Sequence, residues 1–275
     1  MEEIEKITTE ISEDICDIEV DFYGNKLAVA VSSGKIYLFD NKNGKTTKIS
    51  EIDAHTGPVL KVAWSHPSFG PILASGGFDR KVNLFRIDYN NQFEKIYEHE
   101  LHDNCVQALK FSKSNNNFLL ISGCLNGNLV SCEYMDKNIV TNKTMGHDFG
   151  VNAIDFFDDK TFVTCGNDNS IKIWTYNQEK TIQNDYVLKD IDYITKDVSC
   201  KDNKHFVSCG EDGVAYYWIF NEDQKKWTPN KIFSTEENNK LEKIRFNEEY
   251  TSIAILDENG KEYLINENEL KLEKS

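Results

Sequence analysis

The feature that most constrains the fold is one pattern of short strands that occurs six times. Each copy has an apolar strand, a strand of small residues, a tight turn with a short polar residue and a third apolar strand. The turn residues follow one another at intervals of 46, 47, 42, 44 and 47 residues: Ser33, Asp79, Asn126, Asp168, Asp212 and Asn259. A period of this size, built from strands, predicts an all-β propeller with six blades.

The spacing assigns the whole chain, 1–275, to a single propeller domain. The predicted blades lie near 15–52, 55–99, 102–143, 147–188, 190–233 and 239–272. Residues 1–12 have no blade of their own, and they alternate like the outer strand at 48–52, so they are a candidate strand of an additional blade. After Ile265 the chain has room for one outer strand, around Leu270 and Leu272.

A second pattern indicates which type of propeller this is. In WD repeats a His before the first strand, a Ser or Thr in the second, an Asp in the turn and a Trp in the third form a hydrogen-bonded chain. Buried polar groups are tolerated when they are satisfied in this way. The predicted structural sets are His55, Ser75 and Asp79; His102, Ser122 and Asn126; His147, Thr164, Asp168 and Trp174; and Ser208, Asp212 and Trp218. Blades one and six have apolar Val29 and Ile255 at the Ser/Thr position and no His.

Composition excludes several classes of function. Of the 275 residues, 39% are apolar and 28% are charged, as in soluble globular proteins. The formal charge of −15 argues against direct binding to nucleic acid or to anionic lipid. No apolar run is long enough to span a membrane, and the N-terminus lacks a signal region. The seven cysteines include no C-x-x-C pair, so we expect them to be reduced and mostly buried.

No motif predicts catalysis, a metal or a cofactor. Asp79, Asp168 and Asp212 could serve as catalytic carboxylates, but their regular period and turn context favour the structural interpretation. His99 and His102 are too close together for a His-Glu-x-x-His metal motif. The chain contains no Walker loop, G-x-S-x-G or G-x-G-x-x-G motif. Of the four tryptophans, Trp227 alone is predicted to lie in a loop.

Several stretches resemble one family of WD proteins. They are 21–24, 57–59, 66–70 (His-Pro-Ser-Phe-Gly), 79–82 and 227–231. These segments closely resemble the secretory-thirteen family, and the insertion at 66–70 is the most specific of them. The family supplies the small WD subunit of the COPII outer coat and a subunit of the Y-shaped scaffold of the nuclear pore. The resemblance therefore implies a non-enzymatic scaffold protein.

The resemblance also implies a mechanism and a partner. In this family six blades form an open propeller, and a large α-solenoid partner completes it with a donated β-blade. The implied partner is the α-solenoid coat subunit of COPII, its counterpart in the nuclear pore, or both. The implied location is the cytoplasmic face of the ER membrane, on the COPII coat, or the nuclear pore. Membrane association would come only through the assembly.

Two alternatives from other classes remain at this point. One is the paralogous open propeller found only in the nuclear pore, which has a similar insertion. The other is a closed, peptide-binding WD adaptor, such as a substrate receptor of a ubiquitin ligase. Those receptors often carry Trp-Asp-x-Arg at the end of the third strand, and none of the corresponding segments here matches it: 39–42, 85–88, 174–177 and 218–221.

Apolar residues of the N-terminal segment and of blades one and six define the predicted partner site. These two blades lack the polar set, and no seventh repeat exists to cover apolar walls. The predicted partner-binding residues are Ile4, Ile7, Ile11, Ile15, Ile18, Leu27, Val29, Ile253, Ile255 and Leu264. The competing interpretation is that blades one and six pack on each other, which would make these residues ordinary core.

Overall fold

The computed structural model describes residues 11–42, 45–135, 138–189, 191–235 and 239–270. Its strands form six antiparallel sheets, each a blade. The bounds, blade by blade, are β1 (Ile15–Val20), β2 (Lys26–Val31), β3 (Lys35–Lys42), β4 (Lys45–Asp53); β5 (Val59–Trp64), β6 (Ile72–Gly77), β7 (Val82–Ile87), β8 (Phe93–His99); β9 (Val106–Phe111), β10 (Leu119–Cys124), β11 (Asn128–Met135), β12 (Asn138–Met145); β13 (Val151–Phe156), β14 (Thr161–Gly166), β15 (Ile171–Tyr176), β16 (Ile182–Leu188); β17 (Thr195–Asp202), β18 (His205–Gly210), β19 (Val214–Asn221), β20 (Lys226–Ser234); β21 (Leu241–Phe246), β22 (Ser252–Asp257), β23 (Glu262–Asn266). Two 3₁₀ turns lie at Pro67–Phe69 and Glu267–Glu269.

The predicted all-β, six-bladed WD-type fold is confirmed. In every blade the turn between the second and third strands contains the polar residue that sets the sequence period. Short polar side chains and glycine suit such turns because they tolerate positive φ, as Gly34, Gly127 and Gly213 show here. The chain forms two compact units, one running to Leu125 and including Cys132–Thr141, the other comprising Asn126–Ser131 and the chain from Asn142.

Each blade has two faces because side chains alternate along its strands. We call the face that packs on the next blade in sequence the leading face, and the opposite face the trailing face. Ala28, Ala30 and Ile36 on the leading face of blade one pack on the trailing face of blade two. The same contact joins blade four to blade five and blade five to blade six. Burial between successive blades is therefore the main source of the core.

The polar set of blade four forms one continuous hydrogen-bonded chain. Trp174 Nε1 donates to Thr164 Oγ1 at 2.8 Å, and Thr164 Oγ1 lies 2.7 Å from His147 Nε2. His147 Nδ1 lies 2.8 Å from Asp168 Oδ1. Ser170, which the sequence did not suggest, donates its hydroxyl to the same carboxylate at 2.6 Å. Asp168 therefore satisfies a buried imidazole and anchors the turn.

Blades two and three repeat parts of this arrangement. His55 lies 2.8 Å from both Asp79 and Ser75, and His102 Nε2 lies 2.7 Å from Ser122 Oγ. Asn126 occupies the turn of blade three.

In blade five, which lacks the histidine, the Trp–Ser hydrogen bond is not connected to the turn aspartate. Trp218 Nε1 donates to Ser208 Oγ at 2.8 Å. Asp212 instead accepts from Tyr216, whose ring stacks on Tyr193 with 5.7 Å between ring centroids.

The prediction that Trp227 lies in a loop is wrong. Trp227 is buried on the outer strand β20, and its ring stacks on Phe157 with 5.6 Å between ring centroids. It also packs edge-on against Phe206. An outer strand can carry a large aromatic because it borders the space between blades four and five, which this ring fills.

The prediction of an outer strand after Ile265 is also not met in the described residues. The chain enters the turn Glu267–Glu269 directly after β23. Glu267 accepts from Tyr217 of blade five at 2.7 Å and pairs with Lys201, and Leu270 packs into the core shared by blades five and six. Leu272 lies outside the described residues.

Replacing Asp168 tests the polar set of blade four. We expect Asp168→Ala to lower the free energy of unfolding by about 1–3 kcal/mol, because His147 and Ser170 lose a buried acceptor. Asp212→Ala is the matched control, since that carboxylate contacts no histidine, and its effect should be smaller. Equal losses in urea denaturation would contradict the role assigned to the His147–Asp168 pair.

A buried histidine predicts how stability depends on pH. Burial lowers the pKa of His99 from 6.5 to about 4, so the folded state holds it neutral while the unfolded state protonates it. The free energy of unfolding should therefore fall as the pH drops from 6.5 to about 4. Burial also lowers the pKa of His55 and His147, which act in the same direction. His99→Asn should make this fall shallower in thermal melts across that range, and an unchanged slope would contradict the prediction.

Candidate functional site

The trailing face of blade one is exposed where other blades are covered. Ile18 is 51% exposed, whereas Val62, at the same position in blade two, is 3% exposed. Val198 and Ile244, at this position in blades five and six, are also buried. Ile15 and Val20 on the same strand are exposed as well. Position in the blade does not explain this exposure, so the described residues leave this face of blade one without the covering layer that blades two, five and six have.

Deeper residues of this face are covered. Leu27 and Val29 are buried in one cluster, and Ile11 packs against it. Glu13 accepts a hydrogen bond from Tyr37 at 2.7 Å, which holds the chain just after Ile11 on blade one. Of the predicted site, Ile15 and Ile18 are thus accessible, whereas Leu27 and Val29 are core. Ile4 and Ile7 lie outside the described residues.

The assignment of Ile253 and Ile255 to an uncovered wall is wrong. Both are buried, and they pack against Val207, Cys209 and Tyr217 of blade five. The reason is geometric. Val29 and Ile255 occupy the same position in their blades, so both lie on a trailing face, and the trailing face of blade six is the one that blade five covers.

The leading face of blade six is the exposed one. Leu264 is 75% exposed, whereas Leu38, Leu84 and Tyr217 at the same position are buried. Ala254, which pairs with Leu264, is exposed although Ala28 at its position is fully buried. The predicted residue Leu264 therefore belongs to a surface that is core in other blades.

Side-chain acceptors that the sequence reading missed link successive blades. Asp17 accepts from the backbone N–H of Val62 at 3.1 Å and from Lys61 at 3.0 Å, and Glu19 accepts from the N–H of Trp64 at 2.8 Å. Asp155 accepts from the N–H of Cys200 at 2.6 Å. The sequence does contain a signal for these contacts, which is the Asp or Glu within the first strand of the blade.

Blade five uses the same position for an ion pair with blade six, between a buried Asp197 and a half-exposed Arg245. Asp197 accepts from the N–H of Ile244 at 3.0 Å and from Arg245 at 2.5 Å. Burial would raise the pKa of Asp197, but the charges of Arg245 and Lys243 and the hydrogen bonds outweigh it, so this pKa lies below its ordinary value. The carboxylate therefore stays ionised and fixes the first strand of blade six.

The described residues hold no cluster of three or more His, Cys, Asp or Glu side chains placed to bind a metal ion. All seven cysteines are free thiols. Neither described helix is long and apolar enough to cross a bilayer.

Comparison with known proteins agrees with the blade geometry. The model of the WD domain, G-beta repeat, matches residues 46–86 and 139–175. These two segments contain the third strands and the turn aspartates of blades two and four, the blades in which His and Asp are paired.

Comparison with individual proteins, over about two thirds of the chain, identifies a narrower group of relatives. The protein SEC13 homolog of Drosophila melanogaster is 32% identical over 205 residues, which cover 66% of this chain and 56% of that protein. The protein transport protein sec13 of Aspergillus fumigatus is 29% identical over 192 residues, 61% of this chain and 63% of that protein. The chain belongs to the Sec13 family. It matches less than two thirds of the length of these Sec13 relatives.

Paired substitutions test whether the trailing face of blade one is uncovered in this Sec13-family chain. Ile18→Asp should change the free energy of unfolding by about 0.5 kcal/mol or less, since the side chain is already half in solvent. Val62→Asp, the matched change at the covered position, should cost about 3 kcal/mol or more because it buries an unpaired charge. Similar losses for both variants in urea denaturation would show that Ile18 is covered.

Proposed function

We propose that this chain is a non-enzymatic scaffold subunit of a protein-transport coat, which binds and rigidifies an α-solenoid partner. The observation that carries the proposal is the exposure of Ile18 and Leu264 at positions that other blades bury. The Sec13 relative of Aspergillus fumigatus is named as a protein transport protein. The family resemblance supplies the setting, the COPII outer coat on the cytoplasmic face of the ER membrane.

The proposed contact is a β-blade donated by the partner. Such a blade would cover the trailing face of blade one and the leading face of blade six as the chain's own blades cover one another. Burying apolar side chains contributes about 25 cal/mol per Å² removed from water, so covering Ile15, Ile18 and Val20 stabilises the complex. Catalysis has no part in this proposal, since the turn carboxylates are engaged in structural hydrogen bonds.

The nuclear pore scaffold, the second setting that the resemblance implies, would use the same faces. The Aspergillus fumigatus relative is named for protein transport, which favours the coat. Affinity purification of the chain from its native cells, with quantitative mass spectrometry, distinguishes the settings. Recovery of coat subunits supports the proposal, and recovery of pore subunits without coat subunits contradicts it.

Charged substitutions on the two exposed faces should prevent partner capture. We expect Ile18→Asp combined with Leu264→Asp to abolish co-purification with the coat α-solenoid protein of the same organism, because a carboxylate would be buried unpaired in each contact. Val187→Asp, an exposed apolar residue of β16, is the control and should leave capture intact. Capture of the double variant at the unchanged level, with both proteins folded by circular dichroism, would place the contact elsewhere.

A further inference from the structure

Blade six differs from the other blades at its outer edge. The third strand of each of blades one to five pairs with a fourth strand. No described residue pairs with the outer edge of β23, and the chain turns from Asn266 into the 3₁₀ turn that Glu267 fixes to blade five. In the other blades the chain folds back after the third strand to form the fourth strand. In blade six it instead turns toward blade five.

The unpaired edge of β23 offers a complete set of backbone groups. Asp257 N–H donates to the carbonyl of Lys261, and Glu267 N–H donates to the carbonyl of Thr251. Lys261 and Glu267, at the two ends of β23, therefore direct these backbone groups toward β22 and its flanks. Alternation along an antiparallel strand then points the N–H and C=O groups of Glu262, Leu264 and Asn266 away from the sheet. None of these groups has a partner among the described residues. An edge of this kind can pair with an added strand.

The side chains of β23 indicate which residue types an added strand would carry opposite them. In blades two and four the residue at position 264 is aliphatic, and the fourth strand places an aromatic residue opposite it, Tyr97 opposite Leu84 and Tyr186 opposite Ile173. Blades one and five place Ser50 and Asn230 there instead. Position 262 is different. Its counterparts Ile36, Val82 and Ile171 are buried and apolar, whereas Glu262 is exposed and charged.

The sequence around Glu262 is rich in acidic residues. Glu258 and Glu269 lie close in sequence, and Lys261, the nearest cation in sequence, is placed over the Tyr263 ring at 4.9 Å. No described side chain forms an ion pair with Glu262. In blades one and two the lysines that pair with the fourth strand, Lys35 and Lys81, lie one residue before this position and correspond to Lys261. A strand added beside β23 would therefore place a side chain opposite an exposed, unpaired carboxylate, and a basic residue is the complement of that charge.

We infer that β23 captures an extended segment of a partner protein with an aromatic or apolar residue, any residue, then Lys or Arg. The segment runs antiparallel to β23, with its aromatic residue opposite Leu264 and its basic residue opposite Glu262. This order follows Tyr186 and Leu188, which lie opposite Ile173 and Ile171 in blade four. The inference goes beyond the proposed coat function, because it concerns backbone pairing along the outer edge of β23 and not the face-to-face packing of a donated blade. The two contacts share Leu264, so Glu262 is the residue whose substitution separates them.

A peptide copied from the chain's own fourth strand provides the probe. It has the sequence of β16, Ile182–Leu188, with Leu188→Arg, and its control has Leu188→Glu. Fluorescence anisotropy with the full chain should show saturable binding of the Arg peptide, about fivefold tighter than the Glu peptide, as for a cross-strand charge pair. Equal affinities, or no saturable binding of the Arg peptide at millimolar concentration, would overturn the inference.

Variants of the chain place the binding at this edge. Glu262→Lys should reverse the preference so that the Glu peptide binds more tightly, whereas Glu248→Lys, on the exposed turn after β21, should not. Leu264→Pro should weaken both peptides at least fivefold, because it removes an outward N–H that the β22 ladder does not use. An unchanged preference in Glu262→Lys, or sedimentation showing that the chain alone pairs with a second copy through β23, would overturn the inference. Loss of coat capture by Ile18→Asp with Leu264→Asp has no bearing on the Glu262→Lys result, so the two proposals fail separately.

Discussion

Face-to-face packing between consecutive blades is the interaction on which the structure depends. The leading face of one blade supplies small and branched side chains, such as Ala28, Ala30 and Ile36, and the trailing face of the next supplies larger ones, such as Leu73 and Phe85. The cores between blades four and five and between blades five and six follow the same plan. Each of these cores therefore depends on both of the blades that form it, as in other repeat architectures. None of the described residues covers Ile18 on the trailing face of blade one or Leu264 on the leading face of blade six, and both side chains are exposed.

Polar contacts fix the angle at which these faces meet. Asp17, Glu19, Asp155 and Asp197 each accept the backbone N–H of the following blade's first strand. Such an acceptor satisfies a donor that its own sheet leaves unpaired, so the contact is directional where apolar packing is not. A donated blade that extends this plan would be selected for both shape and hydrogen bonding.

Local chemistry made the blades predictable from sequence. The six turn residues recur because each hairpin needs a short polar side chain or glycine, and this requirement acts within a few residues. The pairing of His147 with Asp168 was equally accessible, since a buried imidazole needs an acceptor. The resemblance in blade two also indicated the family before any fold was known.

The sequence did not predict which face of each terminal blade is covered by its neighbour. Val29 and Ile255 occupy equivalent positions, and only the direction in which successive blades stack shows that Val29 lies on the free side of its blade while Ile255 lies on the covered side. Register shifts near the start of the first strand, as between Val59 and Lys61, further hide which residues share a face. The location of Trp227 was predicted wrongly for a related reason, since its burial depends on two aromatic rings that are distant in sequence. Phe157 lies just after β13 of blade four, and Phe206 lies on β18 of blade five.

Hydrogen–deuterium exchange of the chain, with and without its bound α-solenoid partner, tests the central claim most directly. The account predicts that binding slows exchange in β1 and β23, which lie in the terminal blades, and leaves β14 of blade four unchanged. Protection confined to β14 and its neighbours, with β1 and β23 exchanging as in the free chain, would contradict it.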